Sequence, residues 1–263
     1  MATTAITSAL RIERGVGTPV DETIAEEMPV TFAYNGVTYA VMMATPADLE
    51  DFATGFSLTE GLVERADALS SVSVVRYSRG IELQIETSAE VAIGARGRRL
   101  SGRTGCGICG KADVDDVLRA LPRVDDASRF TAAAIARAMA ELAKRQPLND
   151  ATGAVHAAAW ASADGELLEV REDVGRHNAL DKLIGALLRR STDPRTGFIA
   201  MTSRGSFELV QKTALFGAPL LATVSAPTAL AVRVAHAAGL TLAGFVRGER
   251  VTIYTEFSRV VST

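Results

Sequence analysis

Residues 197–230, GFIAMTSRGSFELVQKTALFGAPLLATVSAPTAL, decide the fold class. Phe198 to Thr202 is an apolar run of strand length, and Phe207 to Phe216 has the length and spacing of a helix. Pro219 to Val224 is a second strand-like run, and a further helix is predicted from Pro227 to Ala238. Upstream, Thr131 to Gln146 reads as a helix capped by Thr131 and ended by Pro147. Two strands, Val155 to Ala161 and Glu166 to Arg171, are joined by Asp164-Gly165, and a helix runs from Arg176 to Arg190. Downstream, Leu240 to Val246 and Val251 to Thr255 close the pattern around Arg247-Gly248-Glu249-Arg250. One helix, two strands and then alternating helix and strand predict a three-layer α/β domain with a mixed sheet, over residues 125–259.

The first half is different. Met28 to Tyr34 and Val37 to Ala44 flank Asn35-Gly36, the strongest short hairpin signal, because a type I′ turn needs positive φ at both central positions. Thr45-Pro46-Ala47-Asp48 reads as a helix start capped by Thr45, with Leu49, Phe52, Ala53 and Phe56 on one face and Gly61 as a stop. Ser71 to Tyr77 and Ile81 to Thr87 form a second strand pair. Residues 18–124 are therefore expected to form a small α+β subdomain ending in a Gly/Arg-rich loop, with a frayed tail before it.

Composition narrows the function classes. The chain has 263 residues, 48% hydrophobic and 22% charged, within the globular range. Lys plus Arg is 28 against 31 for Asp plus Glu, a net charge of −3 that speaks against a general nucleic-acid binder. No apolar run approaches the ~20 residues that span a bilayer. The N-terminal sequence lacks the charged start and apolar stretch of a secretory signal, so a cytoplasmic protein with no membrane contact is expected.

Both cysteines lie in residues 94–111, GARGRRLSGRTGCGICGK, which hold six glycines, five cations and no acid. Cys106-Gly107-Ile108-Cys109 has several readings. As a zinc site it needs two more ligands, and His156, His177 and His236 are not spaced as a compact zinc module. A thioredoxin-type pair should follow a strand, and Gly102-Arg103-Thr104-Gly105 is a poor one. The glycines also match a dinucleotide fingerprint and most of a P-loop, but Ala112 stands where the P-loop needs Ser or Thr. The remaining chemistry is that of sulfur. Neighbouring cations favour the thiolate, which can accept a sulfane sulfur as a persulfide or exchange disulfides. The alternative is a flexible basic loop with incidental thiols.

A second constellation lies at the predicted helix starts: Arg176 and His177, Arg204 and Ser206, Ser225 and Thr228. Helix N-termini with free N–H groups attract phosphates, and three gathered at one sheet edge point to an anionic, nucleotide-like ligand rather than ordinary capping. The layout resembles the cytidine deaminase-like fold. Zinc deaminases carry His-x-Glu at one helix start and Pro-Cys-x-x-Cys at the next. Here the positions read His177-Asn178-Ala179 and Ser203-Arg204-Gly205-Ser206, so a zinc hydrolase is disfavoured and no structural metal is expected.

Several long segments resemble one family, the formate dehydrogenase accessory sulfurtransferases called FdhD. They are Glu26 to Val30, Met42 to Phe52, Cys106 to Gly110, Asp173 to Lys182, Ser225 to Thr228 and Gly244 to Gly248. The resemblance implies a sulfurtransferase that takes sulfur from a cysteine desulfurase. It would deliver that sulfur to the bis(molybdopterin guanine dinucleotide) cofactor of molybdenum or tungsten, for insertion into formate dehydrogenase. It assigns the persulfide to Cys106 with Cys109 assisting, and cofactor contact to Phe245, Val246, Arg247, Gly248, Glu249 and Arg250. It also implies a homodimer, and GDP as a fragment ligand. A competing class is a non-enzymatic chaperone that binds the cofactor without using the thiols.

Overall fold

A computed structural model of the chain describes residues 1–88, 121–124 and 127–261. Cys106, Cys109 and the basic segment around them lie outside the described residues. The second half opens with a two-residue strand, β7 (Phe130–Thr131), paired with β14 (Val260–Val261). A six-stranded mixed sheet organises it, from β8 (His156–Ser162), β9 (Leu167–Asp173), β10 (Gly197–Met201), β11 (Leu220–Thr223), β12 (Thr241–Arg247) and β13 (Arg250–Ile253), in the order β13-β12-β11-β10-β8-β9. The middle strands β10, β11 and β12 run parallel, while β8, β9 and β13 are added by antiparallel pairing.

Side-chain alternation along these strands builds two cores. Ala158, Trp160, Ile199, Met201, Leu221 and Leu242 face α4 (Arg176–Arg189), α5 (Phe207–Phe216) and α6 (Ala229–Ala237). Ala157, Ala159, Ala161, Phe198, Ala200, Leu220, Ala222 and Ala243 face α2 (Ala132–Leu142). Small residues on that second face let one helix lie close to the sheet. The three-layer α/β architecture expected from the sequence is present.

The N-terminal unit is a four-stranded sheet, β4-β3-β6-β5, from β3 (Met28–Tyr34), β4 (Val37–Ala44), β5 (Leu69–Tyr77) and β6 (Gly80–Thr87), covered by α1 (Leu49–Thr59). Asn35 and Gly36 have φ of 48° and 78°, as the hairpin reading requires. Phe32, Phe52 and Phe56 interlock, with ring centroids of Phe32 and Phe56 4.1 Å apart.

Three expectations need correction. The predicted frayed tail is instead a hairpin, β1 (Thr4–Glu13) and β2 (Val16–Ala25), turned by Arg14-Gly15 and tied by Arg11 to Glu22 at 2.6 Å. Thr45 does not cap α1: the helix starts at Leu49 after Asp48, which has φ 52° and makes no side-chain cap. Pro147 ends nothing; it opens a short helix, α3 (Pro147–Thr152), where Pro is tolerated in the first turn.

The two halves meet where α1 crosses α4. A Cβ on Gly55 would lie 1.8 Å from the Asp181 carbonyl oxygen, and one on Gly185 the same distance from that of Asp51. Only glycines allow this approach, and backbone atoms cannot yield as a side chain can. Gly55→Ala is expected to lower stability by about 1–3 kcal/mol or more through overpacking, read as a fall in urea midpoint at constant slope.

Candidate functional site at the sheet edge

The direction of β9, β10, β11 and β12 brings their C-terminal ends to one edge of the sheet. The N-termini of α4, α5 and α6 follow β9, β10 and β11 there, and the β12–β13 turn completes the row. Ligands in open α/β sheets bind beyond the carboxyl ends of strands. The structure therefore gathers the residues singled out in sequence: Arg176 and His177, Arg204 and Ser206, Ser225 and Thr228, and the turn from Phe245 to Arg250.

Backbone contacts join the row. The Thr228 N–H donates to the Gly205 carbonyl at 3.0 Å, and the Phe245 N–H donates to that of Ser225 at 3.2 Å. Arg247 Nε donates to the Val224 carbonyl at 3.1 Å, and the Arg250 guanidinium lies 5.1 Å from the Phe245 ring centroid. Thr228 caps α6 by accepting from the Ala231 N–H, whereas Ser206 precedes α5 without capping it and its buried hydroxyl has no hydrogen-bond partner among the described residues. Phe245 has φ 51°, uncommon for an aromatic residue, and the β12–β13 register shifts between Gly244 and Arg247. The bulge leaves Phe245 and Val246 without a paired position, and the ladder resumes with Arg247 opposite Arg250. Val246 points inward: its side chain is fully buried in the core, so only its main chain can meet a ligand.

A buried polar network missed by sequence reasoning supports α4 from beneath. Asp173 accepts from the Thr45 N–H at 3.0 Å, the Gly175 N–H at 2.8 Å and Asn178 Nδ2 at 2.9 Å, and pairs with Lys182 at 2.6 Å. Lys182 Nζ and Asn178 Nδ2 also donate to the carbonyls of Thr45 and Met43, and Thr45 Oγ1 accepts from the Val174 N–H. At the far end of α1, Lys212 pairs with Asp181 and Glu60, and Thr59 donates to Asp181. Burial pushes the Asp181 carboxyl up, opposed by Lys212 and Thr59. The Thr45 and Asp173–Lys182 motifs are distant in sequence because they are two sides of one contact.

His177 Nε2 lies 2.9 Å from Glu208 Oε2, an ion-pair distance without hydrogen-bond alignment. His156, at the start of β8, is held below its ordinary range by burial and by the nearby Arg176 and His177, against the pull of Asp173. Among the described residues no group of three or more His, Cys, Asp or Glu is placed to hold a metal ion. Among them, too, no helix is long and apolar enough to cross a membrane.

The fold is a three-layer α/β architecture, with a candidate site where three helix starts and the β12–β13 turn line one sheet edge. Residues 25–261 match the model of the FdhD/NarQ family, and the chain belongs to that family. It is 48% identical over 257 residues to the sulfur carrier protein FdhD of Bordetella petrii, covering 96% of this chain and 92% of that one. It is 54% identical over 234 residues to the protein of the same name from Variovorax paradoxus, covering 88% and 84%. A crystal structure from Desulfotalea psychrophila, described as that of a formate dehydrogenase accessory protein, shares the fold. Its TM-score is 0.81 at 24% identity, over 99% of this chain and 100% of that one.

Proposed function

We propose that this protein is a cytoplasmic sulfur carrier for formate dehydrogenase maturation. Cys106 takes a sulfane sulfur from a cysteine desulfurase and passes it to the bis(molybdopterin guanine dinucleotide) molybdenum or tungsten cofactor. The observation that carries this reading is the likeness, over most of the chain, to relatives named sulfur carrier proteins, with Cys106 and Cys109 the only two thiols present. In loading, the Cys106 thiolate attacks the outer sulfur of the desulfurase persulfide. A new S–S bond forms on Cys106, the donor S–S bond breaks, and the donor leaves as a thiolate, with no net oxidation.

The sheet edge supports the second half of the reading. Helix N-termini and arginine forks suit the phosphates of a guanine dinucleotide, with Arg176, Arg204, Arg247 and Arg250 supplying charge. GDP is the fragment that tests it. Calorimetric titration is expected to detect GDP binding to the wild type. In Arg247→Ala that binding is expected to weaken by about 1.5–3 kcal/mol, the scale of one charge-assisted hydrogen bond. Equal affinity in the two proteins removes Arg247 from the site, and no binding by the wild type at millimolar GDP rejects the pocket.

A further inference from the structure

The sheet edge carries an imidazole that neither the core nor the row of helix starts uses: His156, the first residue of β8. β8 runs antiparallel to β10, so its beginning lies beside the end of β10, at the edge where α4, α5 and α6 start. Its register partner is Asp173, the last residue of β9, and paired residues of an antiparallel ladder share a face. Along β8 the imidazole shares that face with Ala158 and Trp160, which are buried against the three helices. His156 therefore sits on the helix side of the sheet, beside the start of α4.

Its neighbours are committed elsewhere. Asp173 accepts from the Thr45 and Gly175 N–H groups and from Asn178, and pairs with Lys182. His177 is sealed against Glu208. His236 lies in the last turn of α6, at the far end of that helix. His156 is only half-buried and makes no side-chain hydrogen bond among the described residues, so it is the imidazole at this edge that a bound molecule can reach.

We infer that His156 is an anion-binding residue of the sheet-edge site, donating an imidazole N–H to a phosphate oxygen of the bound dinucleotide. This role rests on the reading of that edge as the cofactor site. The charged and titratable groups facing the ring are Asp173 from β9 and Arg176 and His177 from α4; the loop after β10 adds Arg204, which is exposed. Burial, Arg176 and His177 disfavour a further positive charge in the free protein, against Asp173. An arriving phosphate reverses that balance and favours the protonated ring, whose N–H makes the stronger, charge-assisted bond. The proton comes from solvent, and no bond of the ligand is made or broken. His156 therefore contributes most to affinity at low pH, and its contribution declines as pH rises through the titration of the liganded ring.

The test compares wild type and His156→Gln, with GDP as the probe, by calorimetric titration from pH 6 to pH 8 and by NMR of the histidine ring protons. The chain has three histidines, so the His156 resonance is assigned by its loss in the variant. At pH 6 the variant is expected to bind GDP on the order of 10-fold more weakly, the scale of one charge-assisted hydrogen bond. At pH 8 the two proteins are expected to agree within about threefold, because a neutral donor contributes less. The terminal phosphate of GDP titrates in a similar range, but equally in both proteins. In the wild type, saturating GDP is expected to move the His156 titration to higher pH. Equal affinities at pH 6 with an unmoved His156 titration remove His156 from the site while leaving the site itself in place. A loss of affinity that is the same at pH 6 and pH 8, with a lowered thermal midpoint, makes the residue structural. Failure of the wild type to bind millimolar GDP is a different result: it rejects the pocket, and this role with it.

Discussion

Cys106→Ala is expected to abolish formate dehydrogenase maturation while leaving the folded body unchanged. The thiolate is the only group at that position able to form an S–S bond, and serine or alanine has no substitute chemistry. The substitution also falls in a stretch of six glycines and five cations, a composition from which little loss of stability is expected. Cys109→Ala should reduce transfer without abolishing loading, since a second thiol can resolve the persulfide but is not required to accept it. Maturation is to be followed as formate dehydrogenase activity in cells complemented with each variant, with thermal unfolding of the purified proteins as the control. Normal maturation by Cys106→Ala rules out the carrier reading and favours the chaperone that binds cofactor without thiols.

The largest effect on stability is expected at Lys182. Its side chain is fully buried, pairs with Asp173 at 2.6 Å, donates to the Thr45 carbonyl at 2.8 Å and lies 5.6 Å from the Phe52 ring centroid. Lys182→Met keeps the stem and removes the charge. The Asp173 carboxylate then remains buried with neutral donors only, and breaking such a pair costs about 3–5 kcal/mol. The loss should appear as a reduced urea midpoint with an unchanged slope. A loss below about 1 kcal/mol would show that Asp173 is held adequately by the Thr45, Gly175 and Asn178 donors alone. The same variant should weaken GDP binding, because Asp173 fixes the turn from which α4 begins.

Local chemistry made much of this molecule legible. Asn35-Gly36 specified its hairpin because few residue pairs adopt two positive φ angles, and Thr131 capped α2 as expected, accepting from the Ala134 N–H. The helix from Phe207 to Phe216 was readable to the residue from its length and apolar spacing, and Gly217, at φ 90°, closes it. What escaped was set at long range. Thr45-Pro46 reads as a helix start from its neighbours alone, but Asp173, more than a hundred residues away, recruits Thr45 instead. Gly55 and Gly185 look like weak points in helices until α1 and α4 are brought together. Arg14-Gly15 carries a weaker turn signal than Asn-Gly, so the first hairpin passed as a tail.

The same division holds for the site. Arg176, Arg204, Ser206 and Thr228 were singled out because helix starts after strands are visible in sequence, and the sheet brings those starts to one edge. Glu208 was not found, since an acid in the first turn of a helix ordinarily signals nothing beyond a favourable dipole contact. Its place beside the row comes only from the 2.9 Å approach of His177 between the two helix starts.

The most direct measurement is intact-mass analysis of the full chain after incubation with a cysteine desulfurase and cysteine. The expected product carries an added mass of about 32 Da, one sulfur atom, reversible by dithiothreitol and mapping to Cys106. A chain that gains no sulfur, or gains it equally well with Cys106 replaced by alanine, is not a carrier that works through Cys106.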